Sequence, residues 1–173
     1  MQLTITALGN SSIGFISKIL EAISNCNCHI ITLKFSSLAQ VNASYLLVNG
    51  NWNQIAKLET TLESLQKKLG IHIHTLRTDS LQKKSVSIPY SLEIISLPGK
   101  NVVEEIIIFL GNQEICIEEI NVKQFQPSTT QTNLFFVDFI LSIPAKIIIP
   151  TLRDELHVFS ENLNIDLVFN PIK

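Results

Sequence analysis

The chain has 173 residues, 46% hydrophobic and 16% charged, which is ample material for a core and little sign of disorder. Thirteen basic residues lie scattered against fifteen acidic ones, for a formal charge of −2, and this leaves no basic footprint for direct nucleic-acid binding. The start MQLTITALG lacks the basic head and long apolar centre of a secretory signal, and the longest apolar run, Ile106–Leu110, is too short to cross a bilayer, so a soluble cytoplasmic protein without membrane contact is expected.

In chain order, Leu3 to Leu8 alternates as a strand and enters a small polar turn that ends in Gly14. Ile16, Ile19, Leu20 and Ile23 then recur at helical spacing. Apolar residues at Cys28 and Ile30, then at Leu33 and Phe35, show a strand whose alternation changes phase, the mark of a bulge. Ile55, Leu58, Leu62, Leu65 and Leu69 form a second helical stripe, followed by the short strand Ile71-His-Ile73. A polar run, Thr78 to Ser87, interrupts the pattern.

The same series then returns. Val103, Ile106, Ile107 and Leu110 repeat the first helical face 87 positions on, and Ile115, Ile117, Ile120 and Val122 repeat the phase change. Ile149, Leu152, Leu156, Phe159 and Leu163 repeat the second stripe at a displacement of 94, leading into Ile165-Asp-Leu167. The larger displacement predicts about seven extra residues between the second and third strands of the second half, in the polar stretch QPSTTQTN, Gln126 to Asn133. Each half therefore reads βαββαβ, a ferredoxin-like unit with four antiparallel strands and two helices on one face, and the class is α+β. The expected organisation is a first domain over 1–78, a linker over 79–87 and a second domain over 88–173. Units of about 75 to 85 residues have marginal cores, so the halves are expected to pack on one another or on a second chain, as a homo-oligomer.

The turn after the first strand has three readings. Gly9 and Gly14 have the spacing of a phosphate loop, but Phe15 and Ile16 stand where that loop requires Lys and Ser or Thr. As a site for an amino acid or small anion, Asn10, Ser11, Ser12, Ile13 and Gly14 offer a serine cap and helix N–H groups that favour a carboxylate. The plain structural reading is that the serines cap the helix and Gly14 allows close packing. The matching turn of the second half is Leu97, Pro98, Gly99, Lys100 and Asn101, where Lys100 can attract a carboxylate and Pro98-Gly99 is ordinary turn chemistry.

Elsewhere the chemistry is sparse. Cys26 and Cys28 with His29 lack the second pair that a zinc site needs, and with Cys116 they make no disulfide framework. His72 and His74 fall on one strand face and read as solvated. Glu104-Glu105 and Glu118-Glu119 are neighbours in sequence and so point apart. No nucleophile elbow is present, and neither catalysis, metal nor cofactor is expected. Trp52 reads as a largely buried residue, with an exposed partner anchor as the other option.

Several stretches resemble tandem ACT domains, and among them the glycine cleavage system transcriptional repressors. They are ALGN (Ala7 to Asn10), Gly14, NCNCHI (Asn25 to Ile30), VNGNWNQIAKLETTL (Val48 to Leu62), ICIEEI (Ile115 to Ile120) and IPAKIIIPTLRDEL (Ile143 to Leu156). The resemblance implies a cytoplasmic regulator without its own DNA-binding domain, acting on a transcription factor or other regulatory protein under control of a small amino acid such as glycine. It also implies that the amino acid sits at the turn between first strand and first helix. The family's usual Asp-Arg-Pro-Gly turn is replaced by Ser11, Ser12, Ile13 and Gly14, and in the second half by Pro98, Gly99, Lys100 and Asn101. A ligand-independent assembly module built on degenerate turns is the alternative.

Overall fold

The computed structural model describes residues 1–10, 14–78, 86–98, 101–127 and 132–172. The first unit contains β1 (Gln2–Asn10), α1 (Phe15–Asn25), β2 (His29–Leu38), β3 (Val41–Asn49), α2 (Trp52–Leu69) and β4 (His72–Thr78). The second contains β5 (Ser87–Ser96), α3 (Val102–Asn112), β6 (Cys116–Phe125), β7 (Leu134–Pro144), α4 (Ile149–Leu163) and β8 (Asp166–Pro171). The strand orders are β2-β3-β1-β4 and β6-β7-β5-β8, with all pairs antiparallel, so each unit is the expected ferredoxin-like split unit. The chain divides into two compact units, Met1–Gln82 and Lys83–Lys173; of the expected linker, residues 79–85 lie outside the described part.

Each unit buries its own core. In the first, Leu3, Ile5, Leu46 and Val48 of the sheet meet Phe15, Ile19, Ile23, Ile55, Leu58 and Leu62 of the helices. In the second, Leu92, Ile94, Val137 and Phe139 meet Val102, Ile106, Leu110, Leu152 and Leu156. The helical stripes thus face inward, as their spacing requires. Ile107 is a correction: expected on the buried face, it is exposed, because α3 is apolar on nearly every side and Val102, Ile106 and Leu110 are the residues that turn to the sheet.

The phase change is a register shift in both units, between Ile30 and Thr32 against β3 and between Ile117 and Glu119 against β7. The bulge puts Leu33 and Phe35 opposite Leu46 and Ser44, on the helix-covered face. On this edge strand they nonetheless remain partly exposed, although the Phe35 ring lies 6.5 Å from that of Phe15 in α1. The extra length of the second half is split. Two residues join β2 to β3 and eight join β6 to β7, so the hairpin takes six, and one more falls between β7 and α4. Residues 128–131 of that hairpin lie outside the described part.

Candidate functional site

Two strand–helix corners, 87 positions apart, are built alike. At the first, β1 ends at the exposed Asn10 and α1 begins at Phe15; Ser11, Ser12 and Ile13 lie outside the described residues. The N-cap position falls on Gly14, which makes no side-chain cap bond; the serines expected to cap the helix lie outside the described residues. Ser17 Oγ donates to Gly14 O at 2.8 Å, so this hydroxyl satisfies a carbonyl rather than a first-turn amide. No acidic residue occupies that turn, so nothing there competes with an incoming anion.

Gly14 has φ −68° and ψ 55°, and a Cβ built on it meets nothing within 4 Å among the described residues. The close-packing role expected of Gly14 is therefore corrected; Gly9 carries it. A Cβ at Gly9 would lie 2.6 Å from Ile71 Cγ2 and 3.0 Å from Phe15 Cδ1. At the second corner Leu97 and Pro98 are exposed, Gly99 and Lys100 lie outside the described residues, and Asn101 is the N-cap of α3 at φ −78° and ψ 42°. This repeats the Gly14 conformation at negative φ, which any residue adopts, and explains why asparagine can stand in place of glycine. Asn101 makes no side-chain cap bond, and here Glu104 and Glu105 occupy the first turn.

Three buried polar atoms have no hydrogen-bond partner among the described residues: Asn42 Oδ1, Ser44 Oγ and Ser96 Oγ. Asn42 and Ser44 pair with Gly9 and Ala7 at the end of β1 that feeds the first corner, and Ser96 is the last residue before the second. A buried orphan costs roughly 1–3 kcal/mol unless something satisfies it. These atoms supply acceptors for an ammonium, while the helix amides suit a carboxylate. Sequence reasoning passed over them. The available signal was serine at positions whose strand parity matches the core, Ser44 in step with Leu46 and Val48, and Ser96 with Leu92 and Ile94.

Other singled-out residues lie elsewhere. Cys26 and Cys28 are buried; burial, with Cys26 adding to it, pushes the Cys28 thiol up and keeps it protonated and unreactive. His72 and His74 are exposed, and among the described residues no three His, Cys, Asp or Glu cluster as metal ligands. Trp52 corrects the expectation of burial, being 61% exposed, with the Arg77 guanidinium 5.9 Å from its ring centre. Arg77 also grips Glu59 through two nitrogens, Nε at 2.9 Å, and that hydrogen bond holds the Glu59 carboxyl below its ordinary range.

Residues 1–75 match the ACT domain family model. That match spans the strands and helices of the first unit. The second half repeats its topology strand for strand, so the whole is a tandem ACT-like protein. Over 129 residues, 75% of this chain and 67% of the relative, it is 24% identical to the glycine cleavage system transcriptional repressor of Escherichia coli strain K12, and equally to that of Shigella flexneri. The fold is shared with the crystal structure of a candidate glycine cleavage system transcriptional repressor (TM-score 0.76, 18% identity, 99% of this chain and 97% of that one). It is shared too with a protein of unknown role from Galdieria sulphuraria (TM-score 0.80, 17% identity, 99% and 98%). Among the described residues no helix is long and apolar enough to cross a membrane.

Proposed function

We propose that this tandem ACT-like protein is a cytoplasmic, non-catalytic regulator that binds a transcription factor or other regulatory protein and responds to a small amino acid such as glycine. The observation that carries the effector part is the set of buried acceptors, Asn42, Ser44 and Ser96, that have no partner among the described residues, near two helix N-termini whose N-cap residues make no side-chain bond. An amino acid brings both a carboxylate for the amides and an ammonium for the acceptors. The effector residues are Asn10, Ser11, Ser12, Ile13 and Gly14 at the first corner, and Leu97, Pro98, Gly99, Lys100 and Asn101 at the second. Control is by linkage: an effector that binds one arrangement of the protein better shifts affinity for the partner by the same free energy.

Isothermal titration with glycine, serine and the other small amino acids tests the effector. Saturable heat with at least one of them is expected, and no heat at millimolar ligand removes the effector. Co-purification of the tagged chain from its own host tests the partner, with a transcription factor expected among the bound proteins. The exposed apolar residues of the edge strands, Leu33 and Phe35 in β2 and Ile120 and Val122 in β6, favour a second reading as an assembly module. A stable oligomer that responds to no amino acid and retains no regulatory protein would establish that reading instead.

A further inference from the structure

The outer faces of the two helix layers have diverged in opposite directions. A groove of about 430 Å³ between α3 and α4 is lined by Phe109, Asp154, Glu155, Val158, Phe159 and Asn162. Displaced by 94 positions, the same face of α2 presents Lys57, Thr60, Thr61, Ser64, Leu65 and Lys68 around a hollow of its own. Thr60 and Thr61 become Asp154 and Glu155, Ser64 becomes Val158, Leu65 becomes Phe159 and Lys68 becomes Asn162. One face is cationic and hydroxyl-lined, while its duplicate is acidic around an apolar floor.

The second-unit face is poorly suited to water. Val158 is 55% exposed and Ile108 is 53% exposed, with Ile107 beside it in a helix that is apolar nearly all round. Phe109 and Phe159 meet at the groove with ring centres 5.1 Å apart. Across α3 and α4 the acidic residues Glu104, Glu105, Asp154, Glu155 and Glu161 stand against Arg153. Two such faces brought together would set carboxylates against carboxylates, so the groove calls for a cationic complement. The cationic α2 face provides one: at helical spacing Glu59 and Glu63 point away from the side that bears Lys57 and Lys68.

We infer that this chain self-associates head to tail, with the α3–α4 groove of one copy covered by the Lys57–Lys68 face of α2 from a second copy. Lys57 and Lys68 meet Asp154 and Glu155 at the rim, and Leu65 with the methyl groups of Thr60 and Thr61 covers Val158 and Phe159. Each copy carries both faces, so the contact repeats reciprocally in a closed dimer or propagates as a chain. The contact involves neither corner, and an effector blank in calorimetry leaves it standing.

Sedimentation equilibrium of the full chain tests the contact. Self-association that weakens with salt is expected for the unaltered protein. The variants K57E/K68E and D154K/E155K, all at exposed positions, should each keep the unaltered melting temperature and raise the dissociation constant by about tenfold or more. Mixed in equal amounts they should associate again, because each then meets an oppositely charged face. A chain that is monomeric throughout overturns the inference. So does association indifferent to both reversals, or a mixture of the folded variants that stays apart.

Discussion

Gly9 and Ser96 occupy the same place in the two units, and their neighbours explain the difference. Beside Gly9 stands Phe15, wholly buried, and the residue matching Phe15 in the second unit is the smaller Val102. The ring fills the space at the first corner; at the second a hydroxyl takes it. Gly9→Ala should therefore cost about 1–3 kcal/mol in denaturant unfolding, since Ile71 and Phe15 must shift, whereas Gly14→Ser should stay within about 0.5 kcal/mol. Ser96→Ala removes a hydroxyl without a partner among the described residues, so its stability should stay level or rise by up to about 1 kcal/mol. If that corner holds an effector, the same variant weakens the calorimetric affinity. The Glu59 carboxyl is held below its ordinary range by Arg77, so the pair stabilises the fold above the ordinary carboxylate pKa and loses that contribution as pH falls through the depressed one. Thermal melts of Glu59→Gln should accordingly lie below those of the unaltered protein at neutral pH and converge with them in acid.

At the scale of elements, the start of α2 is the best defined. Asn51 Oδ1 accepts from Gln54 N at 2.9 Å and Gln54 Oε1 accepts from Asn51 N at 2.7 Å, a full capping box. Asn51→Ala should cost about 1 kcal/mol, read from the shift in denaturation midpoint. Gly70 closes the same helix in the left-handed conformation at φ 63°. The Ile55 to Leu69 stripe was legible because its spacing records the buried face, whereas the cap at Asn51 and the stop at Gly70 came from the structure. The bulges in β2 and β6 were legible for a similar reason, since one extra residue moves every later side chain to the other face and leaves a break in the alternation. The face of α3 was not legible. Val102 to Leu110 is apolar but for Glu104 and Glu105, so no stripe singled out Ile106 and Leu110 over Ile107.

For the molecule as a whole, duplication governs the energetics. Leu58 and Leu152 are matching positions, each essentially buried, one in each core. Leu58→Ala and Leu152→Ala should each cost about 2–5 kcal/mol, which urea titration followed by circular dichroism would measure. The surfaces have not been kept equal. The first unit retains a solvated, lysine-bearing helix layer, and the second has become acidic and apolar at the same positions. Selection for a core alone explains the shared inside and leaves the divergent outside to association or partner binding.

The sequence by itself determined the repeat, the βαββαβ order, the buried stripes and the bulges, because hydrophobic periodicity records which side of each element meets a core. Tertiary structure alone decided the rest: that Gly9 rather than Gly14 is the packed glycine, that Trp52 lies exposed beside Arg77, and that Asn42, Ser44 and Ser96 end without partners among the described residues beside the helix N-termini. Those features depend on distances between residues far apart in the chain, and a one-dimensional period carries no record of such distances.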